Sequence, residues 1–155
     1  MGLRVEIKSL REEDIEQILN LERAKLKAQG LDDIYAQMQE WKSLWREESL
    51  RHYLPKGWSF AIFDKQTNEI QSYFIAKVIP FFRSYTQVLW IEHLNAASIE
   101  QSEALFEVAY RYSREKHLQQ IFFQDISWKE FSISGKTPQA LNEEFYYMKT
   151  TRNED

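Results

Sequence analysis

The sequence predicts an α+β fold, a mixed and mostly antiparallel sheet flanked by helices, on three observations. Two stretches with apolar residues at helical spacing follow a short alternating segment at the N-terminus. Three strand-like segments come next, separated only by short turn-forming sequences, which is the pattern of an antiparallel meander. One amphipathic helix then stands between the last of these and a further strand-like segment, and such a crossover is right-handed and closes in parallel. The predicted order is β-α-α-β-β-β-α-β-irregular-β, in a single domain over 1–155.

The opening "VEIKSL" alternates, with Val5 and Ile7 on one face and Glu6 and Lys8 on the other. Ser9 precedes Glu12 by three, the spacing of a capping box, and Ile15, Ile18 and Leu19 give the helix that follows its apolar stripe. Gly30 ends it. Asp32 or Asp33 caps a second helix, in which Ile34, Met38, Trp41 and Trp45 recur at helical spacing up to Leu54, where Pro55 and Gly57 stop it. The meander is "WSFAIF" at 58–63, "EIQSYFIAKVI" at 69–79 and "YTQVLWIEHLN" at 85–95, with "DKQTN" and "PFFRS" as turns. Ser98 opens the crossover helix, which buries Leu105, Val108, Ala109 and Tyr112. "LQQIFFQD" at 118–125 is the next strand, an irregular stretch passes through "SISGKTPQ", and "EFYYMKT" at 144–150 is the last strand.

Composition excludes several functions. The formal charge of -4 gives no general attraction for nucleic-acid phosphates. There are no cysteines, hence no disulfide, thiolate or Cys-zinc chemistry, which suits a cytoplasmic location. "MGLRVEIKS" lacks the apolar core of a signal peptide, and no apolar run is long enough to span a membrane. His52, His93 and His117 are scattered without the spacing of metal ligands. Only four glycines occur, and the closest two, 30 and 57, are too far apart for a phosphate loop or a dinucleotide fingerprint.

With the elements in place, "IKSLREEDIEQILNL", including Asp14, "WIEHLNA", "ALFEVAYRYSREK" and "EFYYMK" resemble, in that order, the first strand and helix, fourth strand, third helix and closing strand of the GNAT superfamily of acyl-CoA-dependent N-acetyltransferases. The resemblance covers nearly the whole chain. It implies that the fourth and fifth strands diverge toward their ends, so that backbone near Ile91, His93 and Asn95, with Ser98, lines a wedge for acyl-CoA. Phe122, Phe123 or Trp128 are the bulky side chains that would fill that wedge if it is closed. In that family a glycine-rich loop after the fourth strand holds the CoA pyrophosphate with backbone N–H groups at a helix start. Here those positions are Ala97 to Ser102, with Ser98, Glu100 and Ser102 where the glycines belong. A carboxylate ~5 Å from a phosphate charge is repelled by ~3 kcal/mol at an effective dielectric of about 20.

Glu92 falls where some members of that family keep a general base, and strand alternation places it and His93 on opposite faces. The family's tyrosine acid aligns with Phe131, which has no hydroxyl, and Tyr146 and Tyr147 lie near the closing strand. Two functional readings follow. One is a domain with a degenerate CoA loop, no cofactor and a binding or regulatory role, its partner a protein or a second copy held through Tyr35, Trp41 and Trp45. The other is an N-acetyltransferase that uses acetyl-CoA through an altered loop, with Glu92 as base and an unidentified amine as acceptor. A third possibility is a different α+β fold with an interaction role.

Overall fold

The computed structural model describes residues 4–124, 135–141 and 146–151. The chain opens on β1 (Val5–Ser9) and passes through a short 3-10 turn (Glu12–Asp14) into α1 (Ile15–Ala28). It continues through α2 (Asp33–Lys42), α3 (Glu47–Tyr53) and a second 3-10 turn (Leu54–Lys56). Then come β2 (Phe60–Asp64), β3 (Ile70–Phe82), β4 (Tyr85–Asn95), α4 (Ile99–Glu115) and β5 (Gln120–Phe122). The strands form one sheet in chain order, β1 to β4 antiparallel. β5 runs parallel to β4, as the crossover predicts, with Val88, Leu89 and Trp90 opposite Gln120, Ile121 and Phe122.

Two cores sit on the two faces of this sheet because successive strand residues point opposite ways. From β3, Tyr73 and Ile75 pack with Ile15, Ile18 and Leu19 of α1 and Leu50 and Tyr53 of α3. Their neighbours Phe74 and Ala76 pack with Leu105, Phe106 and Ala109 of α4. Each fully buried Leu, Ile or Phe contributes roughly 1.5–3 kcal/mol, so the two apolar layers fix the helices against the strands.

Four details depart from the sequence reading. The Ser9–Glu12 capping box does not form, because Ser9 still belongs to β1, paired with Phe60. Leu10 is buried, and its N–H donates to Ser59 O at 2.8 Å, which carries the extended chain past Ser9. The cap therefore moves on by two residues, and the Arg11 N–H donates to Asp14 Oδ2 at 2.8 Å.

The second predicted helix is two helices. Ser43 adopts an extended conformation, its hydroxyl donates to Glu40 O at 2.7 Å, and Arg46 Nη1 donates to Trp41 O at 2.9 Å. These bonds occupy carbonyls at the end of α2 and stop it. In one continuous helix Trp41 and Trp45 would share a face. The break separates them, leaving Trp41 80% exposed and Trp45 8% exposed in the core with Leu50.

The turn after β3 is shorter than "PFFRS". Phe82 still pairs with Tyr85, and Arg83 and Ser84 alone make a two-residue turn with φ of 51° and 76°.

The closing strand is the fourth difference. Within 144–150 the described residues 146–150 form no strand, and Tyr146, Tyr147 and Met148 are exposed. The apolar run there lacks the two-residue alternation of a half-buried strand. Trp128 and Phe131, Asp125 at the end of the fifth strand, and Glu144 and Phe145 lie outside the described residues.

Candidate functional site

The site grows from an irregularity in β4. His93 pairs with Ile75, but Ile91 pairs with Ala76, so Glu92 is an extra residue in β4. A bulge of this kind breaks the strict alternation of side chains. The expectation that Glu92 and His93 face opposite ways fails for that reason. Glu92 Oε1 accepts a hydrogen bond from Trp90 Nε1 at 2.6 Å, and its carboxylate acts on the Tyr53 hydroxyl of α3. His93 Nε2 lies 3.4 Å from Glu22 Oε2 of α1, and its ring meets Tyr73 edge-on, 5.7 Å between centroids. Both side chains thus lie on the α1/α3 side. Ile91 points to the other face and is buried with Leu105 and Ala109.

Glu22 is the centre of this cluster. It continues the spacing of Ile15, Ile18 and Leu19, so α1 carries its carboxylate inward until it is only 6% exposed. A buried charge needs donors. Glu22 Oε2 accepts from the Tyr73 hydroxyl and, at 2.7 Å, from Asn95 Nδ2, beside the His93 ring. Lys25, one turn further along α1, donates to Asn95 Oδ1 at 2.5 Å. Burial pushes the Glu22 carboxyl up, but the hydrogen bonds from His93, Tyr73 and Asn95 outweigh it and hold the group below its ordinary value. Burial first, then the Glu22 charge, drives the Tyr73 hydroxyl far upward, so it remains a protonated donor. Burial and the charge of Glu92 push Tyr53 up to about 12.

These groups can hold one carboxylate ionised at Glu22 and present a second, Glu92, bonded to the Trp90 indole. Sequence reasoning singled out Glu92 as a base and His93 and Asn95 for their backbone, and did not single out Glu22, Tyr73, Tyr53 or Trp90. One signal was available, since a carboxylate on an otherwise apolar helical stripe calls for a buried donor.

On the α4 side, the junction after β4 is hydrogen-bonded within the chain. Ser72 of β3 is fully buried, and its hydroxyl accepts the Ala97 N–H at 2.8 Å while donating to Gln101 Oε1. Gln101 Nε2 donates to Gln71 Oε1 at 2.8 Å. Ser98 is the N-cap of α4, its hydroxyl accepting the Gln101 N–H at 3.2 Å, and the Ser102 N–H donates to Ser98 O. Glu100 lies exposed in the first turn. A pyrophosphate cradle needs N–H groups that point at the ligand. Here the N–H groups of Ala97 and Gln101 serve the Ser72 and Ser98 hydroxyls, and that of Ser102 makes the first bond of the helix, to Ser98 O.

Among the described residues the ladder between β4 and β5 pairs as far as Trp90 and Phe122, while β4 continues to Asn95. Phe122 packs edge-on against Phe82 and Phe123 against Phe106 of α4, each with centroids 5.0 Å apart.

No protein-family model matches the sequence, and no curated protein matches it. Solved structures do match. An aminoglycoside acetyltransferase from an uncultured soil metagenomic sample, in complex with sisomicin, superposes with a TM-score of 0.58 at 14% identity, over 96% of this chain and 99% of its own. A ribosomal-protein-alanine N-acetyltransferase from Brucella melitensis biovar Abortus 2308 gives 0.58 at 13% identity, over 93% and 99%. A predicted acetyltransferase from Clostridium acetobutylicum, solved with acetyl-CoA, gives 0.55 at 10% identity, over 88% and 96%. The chain has the GNAT fold.

Within that GNAT fold the two tryptophans expected on a partner face part company. Trp41 is on the surface with Tyr35, whereas Trp45 is a core residue beneath α3, so Trp45 cannot belong to the same surface. Among the described residues no group of three or more His, Cys, Asp or Glu side chains is placed to hold a metal, and no helix is long and apolar enough to cross a membrane.

Proposed function

We propose that the chain is a GNAT-fold binding or regulatory domain of the cytoplasm, a pseudoenzyme that does not take acyl-CoA at the β4–α4 junction. The hydrogen bonding within that junction carries the reading. A pyrophosphate entering it would have to displace Ser72 from the Ala97 N–H and lie beside the Glu100 carboxylate. Displacing a satisfied, part-buried bond forfeits it, and the nearby charge repels the ligand. The absence of cysteine suits a reducing compartment.

One observation favours a second reading, an N-acetyltransferase with an altered CoA site. The bulge at Glu92 places a carboxylate and the His93 imidazole on one face, beyond the last β4–β5 pair among the described residues. In that reading Glu92 is the general base, and the backbone of Ile91, His93 and Asn95 replaces the loop as the ligand's support. Solved structures of this fold that carry acetyl-CoA or CoA lend it weight.

The test is to incubate the protein with acetyl-CoA and a panel of primary amines and follow the release of free thiol. The binding-domain reading expects no release above the rate in buffer. Turnover that disappears in Glu92→Gln would overturn it and establish the transferase.

A further inference from the structure

α2 is a helix without a buried residue. Ten residues form a marginal helix in isolation, and α2 is tied to α1 by the bidentate pair from Arg23 to Glu40, at 2.8 and 2.7 Å. Its outer face carries Ile34, Met38 and Trp41 at spacings of four and three, with Tyr35 beside them and Leu44 just past the helix end. Ile34 is 74% exposed and Trp41 80%. Together the five side chains expose on the order of 600 Å², the upper end of a monomer's largest apolar patch and most of the ~800 Å² per partner of a standard interface. Next to the stripe, a groove of about 690 Å³ lies between α1 and α2, with Leu26, Leu31 and Ala36 among its walls and Trp41 at its edge.

We propose that a second copy of the chain docks on this face, the two α2 helices lying antiparallel about a two-fold axis near Met38. This face favours a second copy because it holds both halves of one contact. About a two-fold, residue i meets residue j and j meets i. In an antiparallel pair centred on Met38, each Trp41 comes level with Ile34 and Tyr35 of the other copy, next to the groove at Ala36. The knob and its receptacle are therefore supplied twice, and Trp and Tyr are the residue types that concentrate binding energy at such centres. The same arrangement sets the acidic start of each helix, Asp32 and Asp33, toward the end that carries Lys42, with the helix dipoles opposed. None of this depends on whether the β4–α4 junction takes CoA.

Sedimentation equilibrium of the intact chain between about 1 μM and about 1 mM covers the affinities expected of a modest interface. The wild type should pass from monomer to dimer within that range, and Trp41→Glu should weaken the dimer by tenfold or more with its melting transition unchanged. Met38→Glu provides an independent check if the Trp41 variant proves unstable. A wild type that stays monomeric throughout overturns the proposal, as does a dimer that both substitutions leave intact.

Discussion

The end of β4 is bordered by polar clusters on both sides, and the two are built differently. Toward α1, Tyr73, His93 and Asn95 converge on the single carboxylate of Glu22. Toward α4, Ser72, Ala97, Ser98 and Gln101 bond to one another with no charged member. The first is an ionised group brought inside and supported by donors. The second is a neutral set in which backbone N–H groups find partners within the chain. The same fold thus carries a charged network on one side of β4 and a neutral one at the opposite junction. The two regions should respond to different perturbations.

The largest effect is expected at Glu22. Glu22→Leu leaves the Tyr73 hydroxyl and the Asn95 amide without their acceptor, and should cost ~3 kcal/mol in urea unfolding. A loss below ~1 kcal/mol would show that the carboxylate does not hold the network together.

The pH dependence has a definite sign. Glu22 is held below its ordinary value of 4.5 in the folded chain, so the unfolded chain binds the proton more tightly. Its contribution to stability is fully present above that ordinary value and is lost as the pH falls through the folded one. Glu22→Gln should therefore flatten the acid limb of the stability profile as the pH falls below the ordinary value of 4.5. Parallel wild-type and Glu22→Gln limbs would place the acid sensitivity elsewhere.

On the α4 side the effects should be smaller. Ser72→Ala removes the acceptor of the Ala97 N–H and one partner of Gln101, with an expected loss of ~1–2 kcal/mol. Ser98→Ala removes only the helix cap and should cost about 1 kcal/mol. If Ser98→Ala proved more damaging than Glu22→Leu in the same unfolding assay, the contrast between a charged and a neutral cluster would be reversed.

Much of the frame was legible in the sequence because it depends on local periodicity and local capping. The bounds of β4 at Tyr85 and Asn95, the cap at Ser98 and the helix stop at Gly30 all lie in short windows. The bulge at Glu92 has no such local mark, since the extra residue shows only in the pairing with Ile75 and Ala76. The break between Trp41 and Trp45 was masked by a helical spacing that runs through it. Glu22 bonds residues 51 and 73 positions away in the chain, contacts that topology creates and no window contains. Part of the site was therefore nameable as single residues, Glu92, His93 and Asn95, but their common face was not.

The most direct test of the proposal that the β4–α4 junction takes no acyl-CoA is calorimetric titration of the wild-type protein with acetyl-CoA and with CoA at physiological ionic strength. With the Ala97 and Gln101 N–H groups engaged and Glu100 at the helix start, no saturable heat is expected at ligand concentrations up to about 1 mM. Saturable binding with a Kd in the micromolar range, for either ligand, would contradict that proposal.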